Sequence, residues 1–167
     1  MIFCFNAGEL FQIAIEMKEN AVTFYEKARD TLQDPDVAKL FSELAKEEEE
    51  HKRKLRDMRA KFPPEVATPN VKDTDNELDS YLKAMADDHV FRSCDSLNRQ
   101  LGMLKTVGDA LRLAMRFEKD SLVFFFGLQD ATCEGKDRDL LNMLMKEDHR
   151  HIQQLSLQLR KSGFCTL

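Results

Sequence analysis

The sequence has few residues that break or cross-link a chain: its 167 positions include only six Gly, four Pro and four Cys. With 43% hydrophobic and 33% charged residues, this composition disfavours a turn-rich sandwich or a disordered segment and favours long helices. Cys4, Cys94, Cys133 and Cys165 lie far apart and form no CxxC pair. They read as free thiols in a reducing compartment, with a pairing between the termini left open. An excess of positive charge is also missing. A net charge of −5 and a pI near 5.4 argue against nucleic acid, which needs a basic footprint, and against anionic lipid. No apolar run approaches the roughly 20 residues of a membrane span. The start, MIFCFNAGELFQ, lacks the basic region and small-residue cleavage site of a secretory leader, so a cytoplasmic location is expected. The length suits one domain over residues 1–167, which would bury roughly 70% of its unfolded surface.

What the chain does contain is four apolar stripes with alternating steps of three and four, the period of one helix face. The first runs Phe11, Ala14, Lys18, Ala21, Tyr25, Ala28, Leu32, and the second Val37, Phe41, Leu44, Glu48, His51, Leu55, Met58, Phe62. The third is Leu111, Ala114, Glu118, Ser121, Phe125, Leu128, and the fourth Leu141, Leu144, Asp148, His151, Leu155. Helices are therefore predicted over about 7–33, 35–61, 107–132 and 136–162. Asn6 with Glu9 and Thr106 with Asp109 have capping-box spacing. Asp34 can cap the second helix with Pro35 in its first turn, and Gly163 can end the fourth. Residues 63–105 are expected as a crossover, irregular from Pro63 to Asn76, with short helical pieces near Glu77–Ala86 and Ser93–Lys105.

Each stripe is interrupted midway by groups that cost energy to bury, and the interruptions recur at an offset of 100: Lys18 with Glu118, Glu48 with Asp148, His51 with His151. Residues 6–62 aligned on 106–162 give identities at Gly8, Ala14, Phe24, Asp30, Leu40, Leu44, Lys46, Glu47, His51, Leu55 and Lys61 with their counterparts. About three would be expected by chance. The fold is accordingly predicted to be all-α, an antiparallel four-helix bundle of two related hairpins joined by a crossover.

Glu48 and His51 are three residues apart, so both leave one side of their helix; Asp148 and His151 repeat this, and Glu118 adds a carboxylate. Buried carboxylates and imidazoles persist where a metal or an ion-pair network compensates them, and this donor set suits iron or manganese better than structural zinc. The rest of the Glu47–Glu50 run reads as a solvated helix face, and His89 and His149 as surface or loop residues. Phe124, Phe125 and Phe126 read as core or dimer contacts. Tyr25 is either a core aromatic with its hydroxyl bonded near the site or a redox or gating participant.

The stretches EMKENAVTFYEKA, LAKEEEEHKRKL, YLKAMADDHVF, ALRLAMRFEKDSLVFFFGL and LMKEDHRHIQQL resemble the rubrerythrin-type members of the ferritin-like superfamily over nearly the whole chain. The resemblance implies a ferritin-like fold and a di-iron carboxylate site with Glu48, His51, Glu118, Asp148 and His151 as metal ligands, and an additional carboxylate at Glu147. It also implies reduction of peroxide or dioxygen, or oxidation of ferrous iron, and a homodimer. Two positions depart from the family pattern: Lys18 stands where a terminal Glu ligand is expected, and Asp148 where a bridging Glu is expected. No pair of CxxC motifs for a rubredoxin-type iron is present, so electrons would come from a separate protein such as a rubredoxin. Three expectations stay open: a two-metal site, a single-metal site built from Glu118, Asp148, His151 and Glu48, or a metal-free scaffold in which Lys18 pairs with Glu48 or another carboxylate.

Overall fold

A computed structural model describes residues 7–32, 34–61, 77, 80, 81, 84, 89, 93–130 and 136–163. Among them the chain forms five α-helices: α1 Ala7–Thr31, α2 Pro35–Arg59, α3 Cys94–Gly102, α4 Val107–Asp130 and α5 Lys136–Lys161. The four long helices form a bundle in which α1 packs along α2 and α4 along α5, with α3 set against α1. The short α1–α2 connection makes those two antiparallel neighbours.

Local chemistry explains where the helices begin and end. Asp34 accepts hydrogen bonds from the Asp36 and Val37 backbone N–H groups, and Pro35 occupies the first turn, where a missing N–H costs nothing. At the start of α4 the Thr106 hydroxyl accepts from the Asp109 N–H at 3.1 Å, while the Asp109 carboxylate accepts from the Thr106 N–H at 2.9 Å. This reciprocal cap satisfies two donors that the first turn leaves unpaired. Gly163, with φ +77°, takes the left-handed conformation just past α5, as a glycine can without strain. The capping pair expected at Asn6 and Glu9 depends on Asn6, which lies outside the described residues, as does the irregular segment 63–76. Glu77, Ser80, Tyr81 and Ala84 are helical, as is α3, in keeping with the short helices expected in the crossover.

The stripes point inward. Phe11, Ala14, Ala21, Tyr25 and Ala28 on α1 and Leu111, Ala114, Phe125 and Leu128 on α4 are buried, as are the matching positions of α2 and α5. They form two apolar clusters. One holds Phe11, Met17, Leu55, Phe124, Phe125 and Leu144; the other holds Phe24, Tyr25, Phe41, Leu111, Phe117 and Leu155. The polar interruptions lie between these plugs, halfway along the bundle. No helix among the described residues is long and apolar enough to cross a membrane.

Candidate metal centre

Lys18, Glu48, His51, Glu118, Asp148 and His151 come from all four long helices and meet in one buried cluster, each at most 1% exposed. The three-residue spacing carries Glu48 and His51 inward together from α2, and Asp148 and His151 from α5. The two imidazoles stack with centroids 5.7 Å apart and planes 16° from parallel, so the repeat seen in the sequence is a near two-fold relation at the site.

On one side of this relation sits the ammonium of Lys18, 2.8 Å from Glu48 Oε2 and 2.8 Å from Asp148 Oδ1. Its nitrogen also lies 5.4 Å from the Phe117 ring centroid and 5.3 Å from that of Phe125, within the range of cation–π attraction. Burial by itself would depress the lysine pKa, but the Asp148, Glu48 and Glu118 carboxylates more than offset it and hold the group above its usual value. Lys18 is a charged component of the site.

On the other side, Tyr25 donates its hydroxyl hydrogen to Glu118 Oε1 at 2.6 Å, and His151 Nδ1 lies 3.2 Å from the same oxygen and 3.3 Å from Glu48 Oε1. One ligand atom from each of Glu48, Glu118, Asp148 and His151 falls within 4.8 Å of the others. Glu118 Oε2 and Asp148 Oδ2 are buried and have no hydrogen-bond partner among the described residues, an arrangement that is costly unless something compensates it.

Each histidine is turned by a carboxylate from the opposite hairpin. His151 Nε2 donates to Glu47 at 2.5 Å, and His51 Nε2 to Glu147 at 2.6 Å. With the outer nitrogens held, both Nδ1 atoms face inward. Such outer hydrogen bonds fix the orientation and raise the basicity of an imidazole that faces a cation site. Glu147 is therefore placed apart from the four converging groups: its longer reach from the α5 surface ends on the His51 ring. Glu47, expected as part of a solvated face, is its counterpart. The signal that could have marked it was present in the repeat, where Glu47 and Glu147 are an identical pair. Arg150 flanks Glu47 at 2.7 Å and Lys54 flanks Glu147 at 3.8 Å.

The charges divide unequally. Burial would raise the Glu48 carboxyl, but Lys18 and His51 hold it well below the usual range. Burial raises Asp148, and the neighbouring Glu48 charge adds to this against the pull of Lys18. Glu118, buried and facing Glu48, is pushed up to about 7. Burial lowers both imidazoles, yet their carboxylate partners dominate: Glu48 and Glu147 bring His51 up to about 9, and Glu118 with Glu47 brings His151 up to about 12. Tyr25 is raised well above its usual value by burial and by the charge of Glu118.

His89 differs from its expected exposed setting. It belongs to the connection but is buried against α4, with Nε2 3.2 Å from Ser121 Oγ and its ring edge-on to Phe117 at 5.3 Å. Phe124 and Phe125 are core, whereas Phe126 is exposed. His149 is exposed as expected.

A two-ion centre does not fit this geometry. Glu48 and Asp148, the carboxylates available to a second ion on that side, already hold the Lys18 ammonium, which would repel a dication placed a few ångströms away. A single ion fits on the Glu118 side, where unbonded carboxylate oxygens and an inward imidazole nitrogen converge. The donors there are oxygen and nitrogen without thiolate, the chemistry of iron or manganese sites.

Comparisons with known proteins agree with this architecture. A crystal structure of a protein described as a ferritin-like diiron-carboxylate protein, from Thermotoga maritima, superposes with a TM-score of 0.68 at 18% identity, covering 98% of this chain and 99% of that one. At that identity the likeness speaks for the ferritin-like fold. No curated protein matches the chain at a significant level. The rubrerythrin family model matches residues 9–158, nearly the full span of the four long helices, and the chain belongs to the rubrerythrin family.

Proposed function

We propose that the chain is a single-ion redox protein of the rubrerythrin family. It would hold one iron or manganese ion through Glu118, His151, Glu48 and Asp148 and act in the reduction of peroxide or dioxygen or in iron handling. The observation that carries this reading is the convergence of those four donors within 4.8 Å, three of them, Glu48, Glu118 and Asp148, with buried oxygens that accept no hydrogen bond among the described residues. When bound, the ion supplies a one-electron couple and Lewis acidity.

The chain's own residues set the conditions for that chemistry. Glu47 keeps His151 oriented, and Tyr25 keeps Glu118 Oε1 occupied, leaving Oε2 as its open donor atom. The Tyr25 hydroxyl is also a buried proton held at 2.6 Å from a carboxylate, whose own affinity for protons is raised to about 7. The two apolar clusters exclude water from above and below. The approach from solvent is a surface cavity of about 190 Å³ lined by Glu47, His51, Lys54, Glu147 and Arg150, among others. Electrons come from a separate donor protein such as a rubredoxin.

Reconstitution with ferrous iron followed by elemental analysis tests the reading, with one ion per chain expected. The second reading, a metal-free helical scaffold, is favoured by one observation: Lys18, His51 and His151 face Glu48, Asp148 and Glu118, three potential cations against three carboxyl groups. It predicts no bound metal and indifference to chelators.

A further inference from the structure

The two halves of the site have diverged in a matched way, at three pairs of repeat positions. Lys18 corresponds to Glu118, Phe125 to Tyr25, and Phe117 to Met17. Around Glu118 the neighbouring phenol of Tyr25 donates a hydrogen bond at 2.6 Å. At the counterpart position near Lys18 the hydroxyl is missing, and the residue is Phe125. All these side chains are fully buried.

The chemistry of each half is self-consistent. A phenol O–H is a partner for a carboxylate. Beside an ammonium, which offers only N–H donors, the same hydroxyl would lose the acceptor its counterpart has and would be buried without one. An aromatic face attracts a cation and is unfavourable to a carboxylate. Lys18 has two such faces, from Phe117 and Phe125, at 5.4 and 5.3 Å. Both belong to α4, so a helix other than that of Lys18 has been shaped to the ammonium.

We propose that Phe125 and Lys18 form one specificity-determining unit, a protein-borne monocation with its aromatic seat, which fixes the capacity of the site at one fewer metal ion than its two-fold framework could hold. The seat explains how the charge persists without exposure: Glu48 and Asp148 neutralise it, and the rings take the directions the carboxylates leave. It also implies reversibility. The framework on that side, Glu48, Asp148 and His51 with its outer nitrogen held by Glu147, mirrors the side that keeps Glu118. Restoring the carboxylate and its phenol partner together should restore the second ion. This rests on the single-ion reading only for the absolute count.

The test is the double variant Lys18→Glu/Phe125→Tyr, reconstituted with ferrous iron and with manganese beside the natural chain, with metal per chain and helicity measured for both. The expected result is one more ion per chain in the variant than in the natural protein, two against one. If the variant binds no more metal than the natural chain while remaining helical, the proposal is overturned. Without metal the variant gathers uncompensated carboxylates and is expected to be less stable. If it is unfolded metal-free, recovery of helicity on adding manganese, with the extra ion bound, supports the proposal; failure to recover overturns it. A natural chain with no ion and a variant with one would leave this proposal standing and remove the single-ion reading. Phe125→Tyr alone is expected to bind no additional ion, and an added ion in that variant overturns the pairing with Lys18.

Discussion

Replacing Lys18 with Met removes the ammonium while nearly preserving side-chain length and volume. The metal-free protein then holds Glu48 and Asp148 in the core without the group that lies 2.8 Å from each. At an effective dielectric of about 20, each such contact is worth about 6 kcal/mol of Coulomb attraction. Desolvation of the lysine opposes most of this gain, and removing one partner of a buried ion pair costs about 3–5 kcal/mol net. For a chain of this size 1 kcal/mol shifts the melting temperature by about 2–4 °C, so a fall of about 10 °C is expected. The assay is thermal unfolding followed by circular dichroism at pH 7 with a chelator present. Protonation of the stranded carboxyls limits the damage, so the difference from the natural chain should shrink toward pH 5. A melting temperature within 2 °C of the natural protein would show that the Lys18 ammonium does not hold the centre together.

Tyr25→Phe leaves Glu118 without its 2.6 Å hydrogen bond and should cost about 1.5–3 kcal/mol, the usual worth of a bond to a charged group; an unchanged midpoint in chemical denaturation would contradict this. In the metal-free protein, stability should fall as pH rises from 7 to 9. His51 and His151 are raised to about 9 and about 12, so what they contribute is complete below about 6.5 and is lost as pH climbs through the folded values. Glu118, raised from 4.5 to about 7, works in the same direction at lower pH, its contribution being lost as pH rises from about 4.5 to about 7. Glu47 works in the opposite one: its carboxyl is lowered to about 2 by the His151 hydrogen bond, against the opposing effect of burial, so its contribution is lost as pH falls below about 4.5. Melting temperatures recorded from about pH 2 to pH 9 in chelator check both signs. Chelation of the reconstituted protein should lower its melting temperature, since an ion present at 100 times its Kd contributes about 2.7 kcal/mol; no change would favour the metal-free scaffold.

Most of the site was legible because burial in a helical bundle follows periodicity. A charge placed at a stripe position has nowhere to point but inward, and Lys18, Glu48, Glu118 and Asp148 all do. The helix starts at Asp34 and Thr106 were legible because capping is local. Glu47 was not, since it neighbours Glu48 in an acidic run and its role depends on where α5 brings His151. Glu147 was expected as an additional carboxylate on the resemblance alone, and sequence separation does not show that it reaches the outer nitrogen of His51. The burial of His89 depends on its contacts with Ser121 and Phe117 of α4, a tertiary packing without a periodic signature. The sequence left the partner of Lys18 open between Glu48 and another carboxylate; the structure pairs it with both Glu48 and Asp148.

The most direct measurement is anomalous scattering at the iron edge from crystals of protein reconstituted with ferrous iron. One peak is expected, bounded by Glu48, Glu118, Asp148 and His151, with the Lys18 ammonium still between Glu48 and Asp148. Two peaks with Lys18 displaced, or no peak at all, would contradict a centre in which one metal ion and one lysine share the work of two cations.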